Sequence, residues 1–290
     1  MPKKLLLFIV FISTTLFGQN ATEIYLFDLI QNDSVFTIKN PVNISNNKGY
    51  DNQPSFLNDG TGILYTSTRA GQTDIVLYNL ENQTQAWLTD TEESEYSPIQ
   101  TPNRKYFTAV SLAKDSTQSL WKYHFNRKKK SVVLNDLKIG YYTWYNKKTV
   151  VSFILGDPPT LQVSNLKYKI HYPIHKNIGR SIHKIPNQNL ISFISLEQKE
   201  PEICSINPVN SKKEFIADAL EGSQDMAWMS DGTIIMGKDD TLFMLKPGVD
   251  TTWVEFTSLK YYKLTGISRI AISPLGNKIA IVINENNLKE

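Results

Sequence analysis

The sequence predicts an all-β fold, a six-bladed β-propeller with four antiparallel strands in each blade. Three observations carry that expectation. A turn signal recurs about every 44 residues, about four short β-rich runs fill each interval, and a strand pair missing from one end of the chain stands at the other.

The turn signal sets the period. Six polar tetrads end at Gly60, Arg104, Lys148, Gln188, Gly232 and Gly276, separated by 44, 44, 40, 44 and 44 residues. They hold mostly Asn, Asp, Pro and Gly, each suited to tight turns for its own physical reason. A β-rich run follows each tetrad, at 63–68, 106–112, 149–155, 189–195, 233–236 and 278–283. A second run follows a polar break, at 74–80, 119–125, 160–166, 202–206 and 241–245, and a third lies at 85–89, 131–134, 169–174, 214–217 and 252–256. With the run that enters each tetrad this makes four strands per unit, about one per 11 residues. No segment carries a convincing helical stripe. A βαβ arrangement needs crossovers of about a dozen residues or more, for which the spacing leaves no room.

The ends of the chain supply the closure. The sixth unit has only the strands at 270–273 and 278–283, and the absent pair is found at 23–29 and 34–38. The expectation is a ring whose last blade is completed by strands from both termini, an arrangement that hides strand edges. The blades fall at about 50–93, 94–138, 139–177, 178–221, 222–264, and 265–290 closed by 21–40.

Residues 1–18 read as an export signal, with Lys3 and Lys4 ahead of an apolar stretch at 5–17 that only Ser13, Thr14 and Thr15 interrupt. The stretch is shorter than the roughly 20 residues that span a bilayer. Cleavage after Gly18 would leave a propeller at 19–290 that is exported, periplasmic or extracellular, with no stable membrane insertion. Without Lys3 and Lys4 the chain carries 29 basic and 28 acidic side chains, which gives no electrostatic case for nucleic acid. The one dense basic run, Arg127, Lys128, Lys129 and Lys130, reads as a solvated hairpin tip. Cys204, the only cysteine, lies in an apolar strand and is expected to be buried.

The first full unit is specific. It runs Pro54-Ser-Phe56-Leu-Asn-Asp59-Gly60, then Ile63-Leu-Tyr-Thr-Ser67-Thr-Arg69-Ala-Gly71-Gln-Thr-Asp74-Ile75-Val, then Trp87-Leu88-Thr89. It resembles the TolB-type, WD40-like propeller repeat: Pro-x-aromatic-Ser-Pro-Asp-Gly, a strand, Ser-x-Arg-x-Gly-x-x-Asp-Ile-Tyr, a strand, and Leu-Thr. The fifth unit keeps Ala227-Trp228-Met-Ser230-Asp231-Gly232 and the sixth Ile272-Ser273-Pro274-Leu-Gly276, whereas units two to four are held by spacing. The resemblance covers residues 21–290 and lacks the separate N-terminal domain of TolB itself, so the partnerships of TolB are not carried over. Asp59-Gly60 and Asp231-Gly232 should form the turn after the innermost strand, where positive φ suits glycine. Phe56, Trp144 and Trp228, at one register, should wedge between blades; Ile272 matches them, and Gln100 and Lys184 do not. Arg69 and Asp74 are placed for a charged hydrogen bond.

Catalytic patterns are lacking. The sequence has no Gly-x-Ser-x-Gly elbow, no His-Glu-x-x-His, no phosphate-cradling loop and no cysteine pair. His171 and His175 share one face of a strand about 13 Å apart, too far for one metal. His124 and His183 have no obvious partner. What remains is the channel mouth, where the loops entering the innermost strands converge. Counting back from the Phe56 register gives Asp51, Asn52 and Gln53; Glu95 and Tyr96; Tyr141; Arg180; Gln224 and Asp225; and Ser268 and Arg269. Such a ring could hold a peptide terminus, a carboxylate or a small polar ligand. The expected function is therefore binding, not catalysis: a monomeric scaffold without a cofactor that meets an envelope protein or peptide through one propeller face. The alternatives are a channel-mouth small-ligand sensor, and a calcium-dependent lactonase or hydrolase-like propeller using oxygens of Asp51, Asn52, Glu95 and Asp225.

Overall fold

The structure, a computed structural model, describes residues 21–32 and 35–285. The expected export signal lies outside them. As the sequence predicts, the molecule is a six-bladed propeller of four-stranded antiparallel sheets. Among the described residues the helical segment is a single 3₁₀ turn at Leu259–Tyr262.

The chain opens with β1 (Thr22–Asn32) and β2 (Val35–Asn43). Blade one follows as β3 (Asn52–Phe56), β4 (Gly62–Arg69), β5 (Gln72–Asn79) and β6 (Thr84–Trp87). Blade two is β7 (Ser94–Gln100), β8 (Tyr106–Leu112), β9 (Gln118–His124) and β10 (Arg127–Leu134). Blade three is β11 (Ile139–Asn146), β12 (Thr149–Ile154), β13 (Thr160–Asn165) and β14 (Ile170–Lys176). Blade four is β15 (Ile178–Lys184), β16 (Ile191–Ser195), β17 (Glu202–Ile206) and β18 (Lys213–Asp218). Blade five is β19 (Met226–Trp228), β20 (Ile234–Lys238), β21 (Thr241–Leu245) and β22 (Val254–Ser258). Then come β23 (Ile267–Ile272) and β24 (Lys278–Asn284), and the last sheet runs β2-β1-β24-β23. Glu23 pairs with Ile283 and Asp28 with Lys278, so strands from the two ends do close one blade. A contact between the Lys278 ammonium and the Asp28 carboxylate sits at one end of that pairing.

The apolar residues divide into six buried clusters, and each fills one seam between neighbouring blades. The division follows from strand periodicity: alternate side chains point to opposite faces. In β24, Ile279, Ile281 and Ile283 face blade five, while Ala280 and Val282 face blade one. The second strand of a blade is covered on both faces, which is why β12 reads Thr-Val-Val-Ser-Phe-Ile and is buried throughout. The wedge residues behave as their register predicts. Phe56 is buried in the seam between blades six and one. The Trp144 indole donates to Thr108 Oγ1 of blade two at 3.1 Å, and the Trp228 indole to Ser192 Oγ of blade four at 2.8 Å.

The turn residues meet their conformational demand. Gly60 and Gly232 lie at φ 73° and 85°, and their N–H groups donate to Leu57 and Met229 carbonyls at 2.8 and 3.0 Å. Arg69 Nη2 donates to Asp74 Oδ2 at 3.0 Å, and Cys204 is buried and free. The basic run is placed differently from the expectation. The hairpin turns at Asn126, whose N–H donates to His124 Nδ1 at 3.0 Å. Arg127, Lys128, Lys129 and Lys130 therefore open the outermost strand of blade two.

Candidate functional site

The innermost strands β3, β7, β11, β15, β19 and β23 surround a central channel with a cavity of about 370 Å³. A second hollow of about 440 Å³ adjoins it at the entry loops 222–225 and 266–269, sharing Arg180, Asp225, Arg269 and Ile270.

Five of the eleven residues singled out by sequence line the channel: Gln53, Tyr141, Arg180, Asp225 and Arg269. Arg269 is the centre. Its Nη1 lies 3.7 Å from Asp225 Oδ1, its guanidinium lies 4.8 Å from the centre of the Tyr141 ring, and its side chain is 11% exposed. Burial opposes the charge, yet Asp225, Tyr141 and Tyr50 hold the guanidinium above its usual value. Asp225 also accepts the Ile270 N–H at 2.9 Å, which fixes the carboxylate to the blade that carries Arg269. Arg180 donates from Nη2 to the Ser268 carbonyl at 3.0 Å, while its buried Nε has no partner. Tyr96 meets Tyr50 edge to face, 6.3 Å between ring centres. Tyr50 is pushed up to about 12 by burial, against the pull of Arg269 and Arg180. The mouth is thus two guanidiniums and one carboxylate set among tyrosines.

Gln53 lines the channel but is occupied: its Oε1 accepts the Ser97 N–H of the next blade at 2.7 Å and the Thr66 hydroxyl at 3.1 Å. Asp51 and Glu95 are not at the mouth. Both are fully buried, each in a different seam. They stand five positions before the Phe56 register, on the seam side of the chain, just ahead of bulges in β3 after Asn52 and in β7 after Tyr96 where Gln53 and Ser97 take positive φ. The two seams repeat one network. Ser45 Oγ accepts the Ile24 N–H at 2.9 Å and donates to Glu23, which is near Asp51. In the next seam, Thr89 Oγ1 accepts the Ile75 N–H at 2.8 Å and donates to Asp74 at 3.1 Å, and Asp74 is near Glu95. Burial pushes Asp51 and Glu95 each up to about 7, and the neighbouring carboxylates add to the rise. The oxygens of Asp51, Glu95 and Asp225 therefore do not converge as a calcium set. Among the described residues no three His, Cys, Asp or Glu side chains stand close enough to hold a metal.

Two residues close to Arg269 escape a sequence count. Tyr50 precedes the counted window by one position, and His183 lies beyond it on β15. His183 Nε2 and Ser181 Oγ are 3.0 Å apart, and burial pushes the imidazole down. Ser181 Oγ also accepts the Met226 N–H at 3.1 Å and is 2% exposed. Both residues line the channel, but the Ser181 hydroxyl is buried against the Met226 N–H, which does not suit an activated nucleophile. His171 and His175 take separate partners, Asp136 at 3.5 Å and Glu197 at 3.2 Å.

No family model and no curated protein matches the sequence. Solved structures do match in shape. A structure assigned as a TolB from Agrobacterium tumefaciens superposes with a TM-score of 0.69 over 92% of this chain and 99% of its own, at 12% identity. The fold is that of a TolB-like propeller. TolB from Acinetobacter baumannii matches at a TM-score of 0.56 and 11% identity over 90% of this chain, which spans 64% of that protein. An oligogalacturonate lyase from Vibrio parahaemolyticus matches at 0.54 and 12% identity, over 94% of this chain and 100% of its own. At these identities the likeness is one of fold, and the channel mouth stands on its own residues.

Proposed function

We propose that this TolB-like propeller is a non-enzymatic binding module of the cell envelope, taking a carboxylate-bearing segment of a protein or peptide at its channel mouth. The observation that carries this reading is the mouth itself. Arg180 and Arg269 come from blades four and six and line the same hollow, and Arg180 keeps an unpartnered buried Nε. A guanidinium with a free donor in a confined, tyrosine-lined cavity recognises a carboxylate through charge-assisted hydrogen bonds. Asp225 fixes Arg269 in place, so little side-chain freedom is lost when a ligand arrives. Export of the mature chain belongs to the same reading and is supported by the apolar stretch at 5–17 behind Lys3 and Lys4.

A second reading is a channel enzyme or sensor for acidic sugars. It is favoured by His183 beside the two arginines and by the lyase among the structural neighbours. One titration separates the two. Short peptides with a free C-terminal carboxylate should bind the mature protein, and their amidated counterparts should bind at least about tenfold more weakly. The variant R180E/R269E should lose the preference. Equal binding of both peptide forms would overturn the peptide reading, as would turnover of an oligogalacturonate.

A further inference from the structure

Blades one and two are separated on their outer side by a cleft of about 560 Å³, larger than the channel cavity of about 370 Å³. Its chemistry is one-sided. Five cations line it, Arg69, Arg127, Lys128, Lys129 and Lys130, against the single lining carboxylate of Asp90. Arg69 is fixed: Nε and Nη2 donate to Asp74 at 3.1 and 3.0 Å, Nη2 also donates to the Thr89 carbonyl at 3.2 Å, and the guanidinium lies 4.5 Å from the centre of the Trp87 ring. Lys130 pairs with Glu93 at 3.3 Å and lies 4.8 Å from the Trp121 ring. Arg127, Lys128 and Lys129 have no ion-pair partner among the described residues. Trp87 is 41% exposed at the end of β6. That strand pairs only with β5, so its outer edge presents unpaired main-chain groups.

We propose that this cleft binds a short acidic peptide segment in extended form. The three unpaired cations supply the attraction, and Trp87 with the partly buried Phe125 supplies apolar surface. The open edge of β6 offers hydrogen bonds that another strand can complete. An acidic sugar chain fits less well. It brings no main-chain groups for the edge, and the Trp87 ring face nearest Arg69 is already taken by the guanidinium. The site is separate from the channel mouth, which lies on the innermost strands and shares no residue with it.

The test uses a fluorescein-labelled hexaglutamate peptide with an amidated C-terminus, which the channel mouth should disfavour, and the mature protein, read by fluorescence anisotropy at low ionic strength. Binding should fade as salt is added, because exposed charges are screened beyond about 8–10 Å at moderate ionic strength. K128E/K129E alters exposed side chains and should weaken binding by at least about tenfold. W87A should weaken it to a lesser degree, and R180E/R269E should leave it unchanged, so this site and the channel site fail independently. Undiminished binding by K128E/K129E would overturn the proposal. So would loss of binding in R180E/R269E alone, or binding of hexagalacturonate where hexaglutamate does not bind.

Discussion

Asp51 and Glu95 are buried carboxyls held in matching networks 44 positions apart, and each has one oxygen without a hydrogen-bond partner. In an unfolded chain such groups release their protons near pH 4; in the fold they do so at about 7. Between those limits the folded state binds more protons than the unfolded state. The contribution of these two groups to stability is therefore fullest below about pH 4 and is lost as pH rises through 7. Replacing Asp51→Asn together with Glu95→Gln keeps the shape and removes both ionisations. Melting temperature at pH 8 against pH 5 checks this: the wild type should lose stability at the higher pH, and the double variant should lose distinctly less. An unchanged difference would mean that these carboxyls are not the titrating groups. Neither role was legible in the sequence. A count back from Phe56 finds the right loop, but it cannot tell which positions of that loop face the channel and which face a seam. Arg180, Asp225 and Arg269 stand three or four positions before the Phe56 register and line the channel, whereas Asp51 and Glu95 stand five before it.

At the level of the strand, legibility was higher. Blades two to four carry no recognisable repeat, yet their sheets form where spacing alone put them, because turn residues and alternation suffice to place a short antiparallel strand. What spacing cannot show is how closely strands of different blades approach. Gly237 in β20 shows the limit: a Cβ added there would stand 2.4 Å from Ile267 Cγ2 and 3.2 Å from Ile267 Cβ. Its φ is ordinary, so space alone requires glycine. Gly237→Ala should force β20 and β23 apart and cost about 1–3 kcal/mol in chemical unfolding. Ile267→Ala should restore part of the loss when added to it. If Gly237→Ala alone unfolds like the wild type, the two blades are not packed this tightly.

For the molecule as a whole, six seams of comparable construction hold the ring, and one of the six blades draws on both ends of the chain. Removing residues 21–45 strips β1 and β2 from β24, uncovers a long apolar strand edge, and takes Ile24, Leu26, Phe27 and Leu29 out of two seams. That truncated chain should elute from a sizing column as aggregate and lose its cooperative melt, as an uncapped hydrophobic edge dictates. A monomer melting within a few degrees of the full chain would show that the ring does not depend on its closing pair.

The same closure has a temporal side. β1 is made early, and its partner β24 emerges roughly 250 residues later. The entropy of joining such distant segments grows only slowly with the intervening length, but contacts this remote are slow to form. Until then the first two strands, paired with each other, have no neighbour for the free edge of β1. Latching the toroid should therefore come late in folding, leaving an interval in which the chain is open to a chaperone or a protease.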